Sequence, residues 1–583
     1  MPTLACAALL AAHAALLALA ASRNSATFDE PAHLAAGVEY WRHHDFSIYC
    51  LSPPLLRLWG AIPATIAGAD SPATDRVDKL PIVERHWIYS DAFVAANFSR
   101  FPHLLVLCRL WMIPISCAAG WMTCRWAWRL YGARSAVAAC AMYCLNPSIL
   151  AHGSLVTTDV GTMAAMLAAC WLWWKFCRSP SLRRWSFACA AVLAAHLCKF
   201  SAVLLWPMLL GMAVPFIPWH ERRRRWVLPF SWLMLGIATL FLLNAVYGFR
   251  GTGRPLGSFD FESDVFQNFQ RRLPGALPSP VPRLLLLGFD AQKRDTQGGY
   301  EAFLFGDIYR GARFYYFPAA LLCKLPVAML LLLAAAAASA LGWRGRAPPA
   351  RRAGEWSILL AVGIFSAGVM LLGDLNIGTR YLLPALPLAI VLISRIWAVP
   401  RPISGETRSL LPYLRDGLLA MLAIETLWVC PRFLTFVNFA VGGASNGWRL
   451  LSDSDYDWGQ GLIDLRDWMQ DQNVPAITLA YFGHVDPAVY GINFYPIIHP
   501  GNPEEVKYVG VSAYFLDGLL NRVVTGQNPT TGEIERANVS LLYSKALQAK
   551  TPVAVVGNTI FIYRYTDVES AAMESIPSDP RGP

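Results

Sequence analysis

Apolar runs long enough to cross a membrane recur along the chain as far as residue 430. About 20 such residues span the hydrocarbon core as a helix. Inside lipid, only a helix or a closed barrel satisfies every backbone amide, so these runs decide most of the fold. Candidate spans are 3–21, 104–124, 135–151, 160–176, 185–198, 200–218, 227–247, 316–341, 356–373, 381–399 and 410–430, about eleven in all. The pair 185–198 and 200–218 is short and closely joined. Composition agrees, with 55% of residues hydrophobic and only 15% charged, against roughly 25% charged in a soluble domain. No positive charge precedes the first run, which therefore reads as a retained helix rather than a cleaved leader.

The net charge of +10 does not mark a nucleic-acid binder, because the basic residues cluster in short loops between apolar runs. The clusters are Arg125, Arg129 and Arg134; Lys175, Arg178, Arg183 and Arg184; Arg222 to Arg225; Arg344, Arg346, Arg351 and Arg352; and Arg395, Arg401 and Arg408. With about eleven spans and a cytoplasmic N-terminus, every cluster falls on the cytoplasmic side. The exoplasmic side then receives the loop 22–103, the turn 151–159, the loop 249–313, the turn 374–380 and the tail from 431. The 13 cysteines lie mostly inside apolar runs and read as small buried hydrophobes. Their spacing suggests neither a zinc site nor a disulfide framework.

The expected architecture is a polytopic α-helical membrane domain over 1–430, followed by a small exoplasmic α/β domain over 431–583. In the first loop, Pro53-Pro54-Leu55-Leu56-Arg57-Leu58-Trp59 is too short to span and suits an interfacial helix. In the tail, 464–469 suits a helix, while 476–482, 506–511 and 559–563 suit strands.

Polar groups gather on the exoplasmic side. Asp29 and Glu30 leave the first span. His152, Thr157, Thr158 and Asp159 lie between the third and fourth, Lys199 lies at the 198–200 turn, and Asp374 and Arg380 bracket the 374–380 turn. A carboxylate can act as a general base or orient a nucleophile. Lysine and arginine can hold a phosphate, arginine in bidentate fashion. This set suits transfer from a phosphate-bearing lipid, with the cations stabilising the departing phosphate. Structural roles stay open for each: helix capping for Asp29, Glu30 and Asp159, snorkelling for Lys199 and interfacial anchoring for Arg380. His43, His44 and Asp45 read as a solvated loop. Asp453, Asp455 and Asp457 alternate like a calcium loop without the glycine and terminal glutamate of an EF-hand.

Five motifs in order resemble the GT-C membrane glycosyltransferases, specifically glycosyltransferase family 39, the bacterial protein O-mannosyltransferase and aminoarabinose transferase (ArnT-type) group. They are Phe28-Asp29-Glu30-Pro31-Ala32-His33, Ser52-Pro53-Pro54-Leu55-Leu56-Arg57, His152-Gly153-Ser154-Leu155-Val156-Thr157-Thr158-Asp159, Cys198-Lys199-Phe200-Ser201-Ala202, and Arg380-Tyr381-Leu382-Leu383-Pro384. The tail stretches 453–461 and 480–483 also resemble segments of some bacterial members, without an assigned chemistry.

The resemblance implies a GT-C fold in the inner (plasma) membrane and an inverting transfer, in one displacement, from a polyprenyl-phosphate sugar to a lipid, glycan or protein acceptor on the exoplasmic face. By its motifs Asp29 activates the acceptor hydroxyl, Glu30 binds the acceptor or shares that role, and Asp159 orients donor or acceptor. Lys199 and Arg380 hold the lipid phosphate, with Arg57, His152 and Tyr381 as further donor-site candidates. No cofactor is implied, and the mannosyltransferase branch needs no metal, although a divalent cation stays open. Ser52 departs from the histidine or lysine that relatives often carry before the proline pair. A transporter or lipid flippase is the main alternative, but the charges gather at one face rather than at the midplane of repeated halves. A nonenzymatic envelope protein is the third.

Overall fold

A computed structural model describes residues 2–73, 80–342, 348–398, 410–498, 505–519, 521–527, 534–539 and 544–574. The basic residues Arg344, Arg346, Arg401 and Arg408 lie outside these. Six helices are long and apolar enough to cross a membrane: Thr3–Arg23, Phe101–Tyr131, Asp159–Arg178, Arg224–Val246, Pro349–Leu372 and Thr379–Ala398. The helices Tyr316–Lys324 and Val327–Ser339 pass the same test as a pair, bent by 115°. Pro326 sits at that bend, where it cannot donate to the preceding turn.

Four other expected spans are shorter or interrupted, for legible reasons. The run 135–151 is divided into Ala133–Cys144 and Pro147–His152. The residue before a proline avoids helical backbone, and here that residue, Asn146, caps the second helix by accepting from the Ile149 amide at 3.2 Å. At about 1.5 Å per residue, neither piece crosses a bilayer of about 30 Å. The run 185–198 is the 17-residue helix Leu182–Cys198. The run 200–218 alternates 3-10 and α turns through Phe200–Leu204, Leu205–Ala213 and Val214–Phe216. The run 410–430 is Leu411–Trp428.

The first loop carries the helices Glu30–His43, Leu55–Gly60, Ile62–Ile66 and Ile82–Ala96. Leu55–Gly60 is the helix expected beside the bilayer, and it buries Leu56 and Arg57 against the helical core. Leu56 packs where Gly161 has no side chain; a Cβ there would lie 2.2 Å from Leu56 Cδ2. The second large loop holds Asp264–Arg272, Arg283–Thr296 and an antiparallel hairpin of β1 (Glu301–Leu304) and β2 (Asp307–Arg310).

The tail contains the helix Leu462–Asp471 and a five-stranded sheet. Its strands are β3 (Ile477–Ala480), β4 (Phe494–Pro496), β5 (Tyr508–Ser512), β8 (Ala554–Val556) and β9 (Ile560–Arg564), in the order β4-β3-β5-β9-β8. Strand β3 runs parallel to β4 and β5, and β9 runs antiparallel to β5 and β8. A separate hairpin pairs β6 (Asn521–Gln527) with β7 (Ile534–Val539). One apolar core runs without a break from Trp173 and Leu388 of the membrane helices to Trp458, Val511 and Phe561 of the tail. The irregular segment between the helix Leu411–Trp428 and Leu462 makes that connection, and its position over the helical domain shapes the site.

Candidate active site

Asp29 stands immediately before the helix Glu30–His43, yet its side chain makes no capping bond. Its carboxylate instead accepts from Arg380 Nη1 at 2.9 Å. Asp159 opens the helix Asp159–Arg178 and accepts from Lys199 Nζ at 2.7 Å, with Arg380 Nη1 at 3.7 Å. Lys199 occupies an extended residue between two helices, so its side chain points inward rather than snorkelling, and its ammonium lies 4.9 Å from the Tyr381 ring centre. Arg380 sits over the Trp458 ring at 4.2 Å. These four residues alternate in sign around one network, and all four line a single cavity of about 620 Å³ together with Tyr381.

Gly378 permits the approach of the Arg380 turn to the tail. Its φ is +152°, and a Cβ there would lie 2.2 Å from Ser454 Oγ. Ser454 Oγ donates to the Ile377 carbonyl. Asp455 accepts from the Thr379 amide at 2.8 Å and from its hydroxyl at 2.6 Å. Asp455 is therefore a structural brace, and Lys324 Nζ donates to its carbonyl at 2.6 Å and to that of Leu434 at 2.8 Å. Asp457 accepts from the Tyr514 and Gly459 amides, both at 3.3 Å. The three alternating aspartates thus diverge, and they do not converge as a calcium loop would.

Glu30 goes elsewhere. Its carboxylate is fully buried and takes Arg109 Nε at 2.8 Å on one oxygen and Arg109 Nη2 at 2.5 Å on the other. The amides of Thr27 and Val156 add bonds of 2.9 and 3.0 Å. Burial alone would raise its pKa, but Arg109 and these donors outweigh that and hold the carboxyl below the usual glutamate value. Arg109 also donates to the carbonyls of Ala21, Asn24 and Ser25. Glu30, expected beside Asp29, is not a cavity residue; it pins the first loop to the helix Phe101–Tyr131.

Arg57 and His152 also stand apart from the cavity lining. Arg57 donates to Ser52 Oγ at 2.6 Å and to the Tyr49 carbonyl at 2.9 Å, and it stacks at 4.1 Å on the Tyr49 ring. Ser52, which departs from the relatives' residue, is thus the acceptor that ties Arg57 to the turn preceding the helix Leu55–Gly60. His152 is buried edge-on to Trp458, with ring centres 5.9 Å apart.

Sequence reasoning missed several cavity residues, among them His86, Trp87, Asp295, Tyr300, Phe482 and His484. They lie on loops and surface helices whose patterning carries no periodic signal of a site. His86 stacks on Tyr49 at 4.3 Å and meets the tilted Trp87 ring at 4.5 Å, and burial pushes its imidazole down to about 3, so it is neutral. Burial raises the Asp295 carboxyl, which accepts from Tyr300 Oη at 2.6 Å. Phe482 follows β3 in the tail stretch singled out by resemblance, and it stacks on Phe28 and Tyr514 at 5.2 and 3.9 Å. Among the described residues, the group spaced to hold a metal ion is Cys6, Cys124 and Cys140, with sulfurs within 4.8 Å of one another. It is buried among the membrane helices, outside the cavity lining.

The family model described as Dolichyl-phosphate-mannose-protein mannosyltransferase matches residues 99–247. The matched stretch contains Asp159 and Lys199 of the cavity, so the likeness read from the motifs is supported over that part of the chain. The structure is similar to that of ArnT from Cupriavidus metallidurans in the apo state, at 12% identity and a TM-score of 0.45, covering 97% of this chain and 98% of that one. It is also similar to the oligosaccharyltransferase AglB from Archaeoglobus fulgidus in complex with an inhibitory peptide and a dolichol-phosphate. That likeness has 12% identity and a TM-score of 0.41, covering 98% of this chain and 77% of AglB. At such scores neither likeness transfers a residue's role. No curated protein matches the chain by sequence.

Proposed function

We propose that this protein is a multi-pass membrane glycosyltransferase that moves a sugar from a polyprenyl-phosphate carrier to an acceptor hydroxyl at the exoplasmic face. The observation that carries the reading is the convergence of Asp29, Asp159, Lys199 and Arg380 on one cavity. These residues come from four separate stretches at the boundaries of membrane helices. Two fixed cations with two carboxylates suit a substrate whose leaving group is a phosphate. The Arg380 guanidinium lines the cavity and has its Nη1 on the two carboxylates, a planar fork suited to a phosphate.

In the proposed step an acceptor oxygen attacks the anomeric carbon of the donor sugar. The bond from that carbon to the phosphate oxygen breaks, and its electron pair stays on the phosphate. Lys199 and Arg380 stabilise the phosphate, Asp29 takes the hydroxyl proton, and Asp159 holds Lys199 in place. A single displacement of this kind inverts the anomeric centre. No metal is part of the proposal. The acceptor is a lipid, a glycan or a protein. The orientation is N-terminus cytoplasmic and tail exoplasmic, in the inner (plasma) membrane.

The test uses membranes of the producing cells, which contain the acceptor, and a panel of radiolabelled polyprenyl-phosphate sugars. Transfer by the wild-type protein that Asp29→Asn abolishes is the expected result. Full transfer by Asp29→Asn would remove the assigned base.

A further inference from the structure

The tail stretch 453–461 has no role in the mechanism above, yet it touches both halves of the site. The Trp458 carbonyl accepts from the Phe28 amide at 2.9 Å, the Gln460 carbonyl from the Ser25 amide at 3.1 Å, and the Gly459 carbonyl from Ser25 Oγ at 2.9 Å. These bonds hold the segment that ends in Asp29. On the other side, Trp458 supports the Arg380 guanidinium, and Ser454 and Asp455 grip the turn before Arg380.

Within this clamp two residues line the cavity, Trp458, which carries Arg380, and Asp453. Asp453 has one hydrogen-bond partner for its carboxylate among the described residues, the amide of Ser454, at 2.5 Å. It lies close enough to Arg380 and Asp29 to feel both charges. Its backbone has φ +54°, a conformation that Asp, Asn and Gly tolerate and other residues rarely adopt. The turn that presents Asp453 is therefore braced from both sides, and the residue it presents is a carboxylate beside the reacting groups.

We propose that Asp453 is a substrate-binding carboxylate of the transfer site, supplied by the tail, which holds a hydroxyl of the acceptor alongside Asp29. This inference rests on the transferase reading. The same cavity is lined by Phe28, Phe482 and Tyr514, which stack on one another, and an aromatic wall of this kind beside a carboxylate suits a hydroxyl-rich, ring-shaped acceptor. The acceptor moiety is accordingly a carbohydrate, and the tail is part of the active site rather than an appended module.

Burial pushes the Asp453 carboxyl up to about 7, opposed by Arg380 and by the Ser454 amide, while Asp29 and Asp455 reinforce the rise. The bound state would therefore respond to pH near neutrality.

Asp453→Asn separates carboxylate from backbone, because Asn keeps the turn. Asp453→Gly does so without any side chain. Two readouts apply: transfer in producing membranes over pH 6 to 8, and binding of farnesyl phosphate to the purified full-length protein. Both variants should bind farnesyl phosphate at least as tightly as wild type, since a negative charge beside Arg380 is gone. Transfer should fall about 10- to 100-fold, the loss expected for one charged hydrogen bond, and the wild-type pH dependence near 7 should flatten. Wild-type transfer together with unchanged transfer by Asp453→Asn would overturn this inference alone and reduce Asp453 to a turn residue. Weaker farnesyl phosphate binding by both variants would overturn it too, since the turn would then serve the donor. A wild-type protein that transfers no sugar from the panel would overturn the transferase reading, and this one with it.

Discussion

Two acid–base clusters stand side by side at the end of the first membrane helix, and they differ in solvation more than in composition. The Glu30–Arg109 pair is closed: both side chains are fully buried, both carboxylate oxygens are bonded to Arg109, and amides complete the shell. The Asp29–Arg380–Asp159–Lys199 network is open: it faces a cavity, and the Asp29 and Lys199 side chains are a quarter and a fifth exposed. A closed pair has no capacity left for substrate, and its charges hold the fold. An open network keeps donors and acceptors in reserve, and its charges can be lent to a reaction. Carboxylate–cation pairs of similar chemistry therefore serve different ends.

The contrast can be broken in four ways, from the largest expected effect to the smallest. Removing one partner of the closed pair, Glu30→Ala or Arg109→Ala, leaves an uncompensated buried charge at a cost of about 3–5 kcal/mol. The variant should be lost from membranes or unfold at much lower temperature. A wild-type melting profile for either variant would show that the pair is not structural. Asp29→Asn should do the opposite, reducing transfer by about 10²- to 10⁴-fold while leaving thermal unfolding within a few degrees of wild type.

Arg380→Ala should raise the apparent KM for the donor by about 10-fold or more, with a smaller change for the acceptor. Equal effects on both substrates would move Arg380 from phosphate binding to general support of the cavity. The smallest effects concern pH. The Glu30 carboxyl is held below its ordinary value, so its stabilisation is present at neutral pH and is lost only as pH falls below about 4. Asp457 behaves in reverse. Burial pushes it up to about 7, so the folded state binds a proton more readily than the unfolded chain between about 4 and 7. Stability should fall as pH rises through that window, and the protein should melt higher at pH 6 than at pH 8. Asp457→Asn should shrink that difference, as should Asp453→Asn; persistence of the full difference in both would assign it to other groups.

Much of this was legible in the sequence. Helices at Phe101–Tyr131, Asp159–Arg178 and Pro349–Leu372 follow from apolar length alone, and strands β3, β5 and β9 follow from short β-branched and aromatic runs. The charged residues of the open network were all candidates. Span integrity was less legible: Asn146-Pro147 and Pro326 interrupt runs whose hydropathy is continuous, because a hydropathy window is blind to a missing amide. The tail's share in the cavity was hidden because Asp453, Phe482 and His484 reach it through folding of an irregular segment without periodicity.

Taken alone, the sequence determined that the chain is built on membrane-crossing helices and which charged residues sit at their ends. Those follow from the length of apolar runs and the cost of charge in lipid, which are local properties. Only the tertiary structure decided between Asp29 and Glu30. Neighbours at a helix start point about 100° apart, so one turns to the cavity and the other to the helix behind it. Which does which depends on Arg109, 79 residues from Glu30, and on Arg380, 351 residues from Asp29. That choice belongs to packing between distant segments, where solvation assigns each carboxylate its role.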